Sequence, residues 1–310
     1  YNGPVQISYT VTDGHGGTVP RTATMALSPT KDAAVITGGA GAVTEDRNLS
    51  GGDLTASGSL TITDPDAGED HFTAVTAGAG KYGTFTLTAD GDWTYSAKNS
   101  QTPVQGLKAG DPPLTDTLEV TSADGTKHTL SVTSNGTDDK PELQAASAAA
   151  TEDGSSVSGT MTATDADTGD TLSFGAPKTP GFTIDTNGNW TFDPTDAAYQ
   201  SIPDGQTRDV IIQVTATDST GLSDTKDLVI VVTGTNDAPV VSGPVTLPGG
   251  TEDRSVTLTA QQLLTGATDV DATDTLAVSG VSADHGTIST TPSGGYLFTP
   301  APDYNGPVQS

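Results

Sequence analysis

Apolar and polar residues alternate with period two over short stretches of this chain, and each stretch ends in a turn signal. Val210, Ile212, Val214 and Ala216 alternate before Asp218-Ser-Thr-Gly221, and Leu228, Ile230 and Val232 alternate after it. That is the pattern of a hairpin with one buried face. Leu118 and Val120, then Asp124-Gly125, then Leu130 and Val132 repeat it, as do Val5, Ile7, Tyr9 and Val11 before Asp13-Gly14. Three further hairpins are predicted where a turn runs into an aromatic strand: Asp90-Gly-Asp-Trp-Thr-Tyr95, Asn187-Gly-Asn-Trp-Thr-Phe192 and Ser293-Gly-Gly-Tyr-Leu-Phe298. Trp93 and Tyr95 then share one face. The 37 Gly and 19 Pro punctuate the sequence into short strands and turns, so the expected class is all-β. No apolar stretch approaches the roughly 20 residues of a membrane-spanning helix.

Internal repeats set the organisation. Thr-Glu-Asp begins at Thr44, Thr151 and Thr251, with spacings of 107 and 100 residues, the length of a β-sandwich domain. Each is followed by an Asp-x-Asp loop, Asp64-Pro-Asp66, Asp165-Ala-Asp167 and Asp269-Val-Asp271, and by a trailing acid at Asp70, Asp170 and Asp274. Short polar segments at Ser28 to Ala33, Asn135 to Pro141 and Gly234 to Pro239 separate the units. The expected modules are residues 1–33, the last strands of a sandwich; 34–137 and 138–236, two complete sandwiches; and 237–310, the first part of another. Tyr1-Asn-Gly-Pro-Val-Gln6 recurs as Tyr304-Asn-Gly-Pro-Val-Gln309, 303 residues later. The chain therefore reads as a segment of a longer repeat protein that opens within a strand and not on a signal peptide.

Composition narrows the chemistry. Twelve Lys and Arg face 39 Asp and Glu, a formal charge of -27, which repels nucleic acid and anionic lipid. Six of the acids are Glu and 33 are Asp, a bias that solubility does not need. Asp sits in tight turns, where hard cations collect oxygen ligands. With no cysteine there is neither a disulfide nor a thiolate metal site, and calcium is the staple still available. Calcium takes about 6 to 8 oxygens, more than one Asp-rich turn supplies, so several segments must converge. In a Greek-key sandwich the preceding linker, the loop after the second strand and the turn between the last two strands lie at one end. Two carboxylates two residues apart are disfavoured without a screening cation, so the Asp-x-Asp pairs are the first candidates. Asp90, Asp92, Asp185, Asp193 and Asp204 are instead expected to bond their own turns, Trp93 and Trp190 to pack in cores, and His15, His71, His128 and His285 to be surface or turn residues. The loop from Asp165 places Gly one position early for an EF-hand and has Ala176 at its twelfth position. No nucleophile elbow, zinc-protease helix or phosphate loop occurs.

Thr-Glu-Asp, Asp-Ala-Asp-Thr-Gly-Asp170, Ala216-Thr-Asp218 and Gly234-Thr-Asn-Asp-Ala-Pro239 resemble the motifs of cadherin repeats and of the bacterial cadherin-like and VCBS repeats. Residues 34–236 resemble VCBS repeats. Leu263-Leu264 and Asp303-Tyr-Asn-Gly-Pro307 make the last unit similar to the cadherin-like relative. The resemblance implies tandem Ig-like Greek-key β-sandwiches in an extended rod, a non-enzymatic role, and the extender region of an RTX-type adhesin exported by type I secretion. It also implies that the early Glu reaches the junction after its own domain. Around Asn135 to Pro141 the expected Ca2+ ligands are then Glu45, Asp138, Asp139, Asp165, Asp167 and Asp218. Around Gly234 to Pro239 they are Glu152, Asn236, Asp237, Asp269 and Asp271, with Asp13 standing for the late Asp of such a unit. At the first junction they are Asp32, Asp64, Asp66 and Asp124, although Thr30-Lys-Asp-Ala33 carries a cation there.

The expected function is that of calcium-stiffened repeats of a secreted, cell-surface adhesin, holding out a binding tip for attachment and biofilm formation. The expected partners are neighbouring repeats of the same chain, and head-to-tail copies of it through the split end modules, with no nucleic acid and no membrane insertion. A glycan-binding adhesin module, ancillary repeats of a secreted hydrolase and a surface filament remain open as alternatives.

Overall fold

The computed structural model describes residues 3–271 and 273–309. Tyr1 and Asn2 of the repeated hexapeptide, and Ser310, lie outside the described residues. The fold is all-β, with 46% strand and 3% helix, and the chain divides into two compact units, residues 1–139 with 166–170, and residues 140–165 with 171–310.

The first unit opens with a hairpin of β1 (Pro4–Thr12) and β2 (Thr18–Ala26). A sandwich follows, built from β3 (Val35–Gly38), β4 (Ala40–Thr44), β5 (Asp53–Thr63), β6 (Val75–Ala79), β7 (Gly83–Leu87), β8 (Asp92–Lys98), β9 (Leu114–Thr121) and β10 (Lys127–Asn135). One sheet has the order β3-β5-β8-β7-β6 and the other β4-β10-β9. Alternation decides the core: Trp93, Tyr95 and Ala97 of β8 point inward with Phe85, Leu87, Val120, Leu130 and Val132. The sandwich closes with β4 parallel to β10, a pairing with no local sequence signature.

The second unit begins with β11 (Glu142–Leu143), β12 (Ala146–Thr151), β13 (Val157–Thr160), β14 (Ala163–Thr164), β15 (Ser173–Gly175), β16 (Phe182–Ile184), β17 (Asn189–Phe192), β18 (Thr207–Thr217) and β19 (Ser223–Thr233). Its main sheet, β12-β19-β18-β15, again joins an early strand parallel to the last one. A second sheet, β13-β17-β16, brings Trp190 and Phe192 onto Ile212, Val214, Leu228 and Ile230. Residues 237–309 supply β20 (Val240–Val241), β21 (Val256–Leu258), β22 (Ala267–Thr268), β23 (Gly286–Thr290) and β24 (Tyr296–Pro300), paired as β20-β22 and β21-β24-β23. The expected aromatic and late hairpins all form. The β1–β2 hairpin, however, leaves Ile7, Tyr9, Val11, Val19 and Met25 exposed, because nothing among the described residues covers its apolar face.

Candidate metal centres

Three acidic clusters form where linkers meet loops, and each lies beside the Asp-x-Asp pair of its module. In the first unit the backbone N–H of Asp32 donates to Asp66 at 2.9 Å, and that of Ala34 donates to Asp124 at 3.0 Å. Linker, second-strand loop and last turn therefore meet at one end of the sandwich. Carboxylate oxygens of Asp64, Asp66 and Glu69 lie within 4.8 Å of one another. Two ligands of one calcium ion stand at most about 5 Å apart, given bonds of about 2.3–2.6 Å, so the spacing fits. Asp64 Oδ2 and Glu69 Oε2 are buried with no hydrogen-bond partner among the described residues. The trailing acid in this cluster is Glu69 and not Asp70, which is exposed. Lys31 bonds Glu69 at 2.8 Å. Asp124 is otherwise engaged, since its oxygens accept from Ser122, Thr126 and Ala34. Those donors hold its carboxyl well below the usual range, as in a turn-capping aspartate.

Also in the first unit, Glu45 is fully buried after β4 and accepts from Gln105 Nε2 at 2.8 Å and from the Thr137 N–H at 3.3 Å. Burial, followed by the charges of Asp139, Asp46 and Asp167, pushes its pKa up to about 7. The Asp139 N–H donates to Asp167 at 2.8 Å, and the Ala109 N–H to Asp138 at 3.1 Å. Lys108 is paired with Asp170. In the second unit, oxygens of Asp165 and Asp218 lie within 4.8 Å of each other. Burial acts to raise the Asp218 carboxyl, but four bonds from Thr220, Gly221 and Leu222 converge on its Oδ1 and leave it net lowered. Oδ2 is buried with no such partner among the described residues, so one oxygen holds the turn and the other is left without a donor.

The remaining cluster lies wholly in the second unit. Glu152, 1% exposed, accepts the Thr235 N–H on Oε2 at 3.0 Å. The Asp237 N–H donates to Asp271 Oδ2 at 2.8 Å, and the Asp271 N–H to Asp269 Oδ1 at 3.0 Å. Asp269, Asp271 and Asp274 bring carboxylate oxygens within 4.8 Å. Glu152 Oε1, Asp237 Oδ2 and Asp271 Oδ1 are buried with no hydrogen-bond partner among the described residues. Burial first, then the charge of Asp237, Asp271 and Asp153, raises the Glu152 carboxyl. Burial and the charges of Asp153, Asp271 and Asp269 raise that of Asp237. Hard, anionic, desolvated oxygens lacking a counter-charge suit a hard divalent cation. The donor set thus fits calcium, which Asp269, Asp271 and Asp274 could hold with Glu152 and Asp237 beside them.

Not every expected residue joins a cluster. Asp13 accepts from the N–H groups of His15 and Gly17 in its own exposed turn, and the Asn236 side chain donates to the Asp237 carbonyl. Sequence reasoning missed Glu69 and Asp153, although Asp153 stands in the Thr-Glu-Asp motif. Trp93 and Trp190 are buried, 3% and 5% exposed. Asp185 and Asp193 bond their own turns, whereas Asp92 accepts from Ser59 across the sheet.

Comparison with known proteins agrees with this architecture. The family model of the bacterial cadherin-like domain matches residues 31–136, that of the bacterial Ig domain residues 138–231, and that of the cadherin-like domain residues 235–310. No curated protein matches the chain. Among solved structures, the chain is similar to protocadherin gamma B7 extracellular cadherin domains 1-4, at 14% identity and a TM-score of 0.46 over 96% of this chain and 75% of that one. It is also similar to mouse cadherin-23 EC22-24, at 18% identity and a TM-score of 0.40 over 74% of each chain. For the human desmocollin-1 ectodomain the values are 15% and 0.34, over 97% of this chain and 59% of that one. Cadherin-like and Ig-like domains are structural or adhesion modules, and the three matches follow one another along this chain.

Proposed function

We propose that the chain is a calcium-stiffened structural segment of a bacterial surface adhesin, with modules at 34–137, 138–236 and 237–310 following a terminal hairpin. Three buried, uncompensated carboxylate oxygens, on Glu152, Asp237 and Asp271, carry this reading. Left without a cation they repel, and the linker between Thr233 and Val240 swivels. A bound calcium ion supplies the missing positive charge and shares oxygens from both modules, and the junction stiffens. Placement in the extender of an RTX-type adhesin, exported by type I secretion and serving attachment and biofilm formation, rests on the VCBS-like motifs. An acidic, cysteine-free chain also suits export unfolded into a calcium-rich medium.

Calcium titration by calorimetry, on the full chain and on Glu152→Gln with Asp271→Asn, tests the reading. Binding that weakens by tenfold or more in the variant is expected, together with a maximum dimension in small-angle scattering that falls on chelation. Absence of calcium binding at millimolar concentration overturns it.

A further inference from the structure

Several lysines of this chain pair with acids, and one of them is drawn in much further than the others. The side chains of Lys31, Lys98, Lys127, Lys140 and Lys226 stay 47–72% exposed while they pair with Glu69, Asp53, Glu119 and Asp224. The side chain of Lys108 is only 21% exposed, and that of its partner Asp170 is fully buried. A lysine gives up that much water only for an anion that holds it.

The backbone carries Lys108 to this place. After β8 the first unit forms a four-residue helix, Thr102–Gln105, and buries Val104 and Leu107. The Leu107 carbonyl then passes so close to the linker that Gly136 has no room for a Cβ. Lys108 comes next, and the Ala109 N–H that follows it donates to the linker residue Asp138 at 3.1 Å. From the other side, the Thr168 N–H donates to the Gly106 carbonyl at 3.2 Å, which holds the loop 166–170 against the same turn. In the second unit the Ile202 carbonyl makes the equivalent approach to Gly234, and the next residue is Pro203. Of these two equivalent positions, only the first carries an ammonium.

The acid it meets belongs to the cluster. Asp170 trails its Asp-x-Asp loop, and its N–H donates to the Asp167 carbonyl at 3.4 Å. Asp167 in turn accepts the Asp139 N–H and adds to the negative charge around Glu45. The corresponding Asp274 lies with Asp269 and Asp271 and has no Lys or Arg partner among the described residues. An ammonium brings one charge and three donors, so it neutralises a carboxylate but cannot gather the roughly 6 to 8 oxygens that calcium takes. Two cations sharing one carboxylate repel at short range. Its tether keeps Lys108 at a high effective concentration when no metal is present, and an ion with twice the charge and more ligands displaces it.

We infer that Lys108 stands in for a metal ion beside linker residues 135–139: it holds Asp170 while the cluster is free of calcium, and calcium binding expels it into solvent. This rests on the calcium reading proposed above and adds how that cluster is regulated. The carboxylates there are never left without a cation, and calcium binding becomes an exchange that is weaker than it would be without the lysine.

Brief acetylation of the full chain with an N-hydroxysuccinimide ester, read lysine by lysine by mass spectrometry in calcium and in chelator, tests the exchange. Lys108 is expected to react faster in calcium, while Lys98 and Lys127, paired within the sandwich, keep their rates. Hydrogen exchange at residues 135–139 tests the stand-in role. In chelator, Lys108→Met is expected to exchange about threefold faster than the native chain or Lys108→Arg, the size of one partly exposed ion pair. In a calcium series, Lys108→Met is expected to reach protection at about threefold less free calcium, because its rival is gone. Lys108 reactivity that stays level or falls in calcium, while calorimetry of the same chain shows the ion bound, overturns this inference alone. So does a Lys108→Met chain that needs more calcium than the native one, which would make the lysine a support for the metal. A chain that binds no calcium overturns the calcium reading and this inference together.

Discussion

At the scale of single residues, the Thr-Glu-Asp motif divides its labour in a way that ligand counting does not anticipate. Its Asp adopts a left-handed backbone at all three occurrences, with φ of 54° at Asp46, 56° at Asp153 and 62° at Asp253, a conformation that Asp and Asn tolerate better than other residues with a Cβ. The turn directs Glu45 and Glu152 inward, where both are fully or almost fully buried. The Glu was readable from its repetition; the backbone reason for the Asp was not, because a φ angle leaves no periodic mark. The tryptophans show the same division. Their burial was legible, but the space for them comes from Gly58 and Gly159 on the facing strands, where an added Cβ would lie 2.7 Å and 2.6 Å from a ring carbon. Glu152 yields a prediction of opposite sign in two buffers. Replacing it with Gln removes one charge from a crowd with Asp237, Asp271 and Asp153, so Glu152→Gln raises the melting temperature in chelator. In calcium the same change removes a ligand and lowers it. Differential scanning calorimetry in the two buffers reads both signs, and a uniform shift in both would mean that Glu152 acts only through packing.

Among elements, hairpins were legible because strand, turn and strand are contiguous and alternation marks the buried face. Closure of each sandwich was not. β4 meets β10 and β12 meets β19 in parallel, and such pairing joins segments about 80 to 90 residues apart in sequence with no shared local pattern. Side chains that bind distant elements were equally hidden. Asp116 on β9 is 2% exposed, and its carboxylate accepts from the N–H groups of Lys81, Tyr82 and Gly83 and from the Tyr95 hydroxyl. It pins the β6–β7 turn to the core as a buried anion satisfied by several donors. Asp116→Ala orphans those donors, and the loss of charge-assisted bonds is expected to cost about 3 kcal/mol. Urea unfolding followed by Trp93 fluorescence in a Trp190→Phe background measures it. An unchanged midpoint would show that the turn holds itself.

For the molecule as a whole, a formal charge of -27 makes the local supply of cations decide which junction tolerates the loss of metal. Repetition announced the three acidic clusters, but not that they are served unequally. Lys31 sits 2.8 Å from Glu69 at the first junction, and Lys108 pairs with Asp170 in the cluster that follows Glu45. Among the described residues, no Lys or Arg pairs with Asp269, Asp271 or Asp274. Exposed ion pairs stabilise little in water, typically under about 1 kcal/mol, but beside clustered carboxylates a fixed ammonium also lowers the repulsion that a departing metal leaves behind. If the clusters hold calcium as proposed, the segment Gly234 to Pro239 is therefore expected to open first on chelation, and Ser28 to Ala33 later. Limited proteolysis along a chelator titration, with cleavage sites read by mass spectrometry, is expected to show cuts near residues 234–239 at a higher free calcium concentration than cuts near 28–33. Lys31→Met then brings the two thresholds together by raising that of the first junction alone. Cleavage in the reverse order would mean that the lysine, and not the metal, is irrelevant to which linker yields.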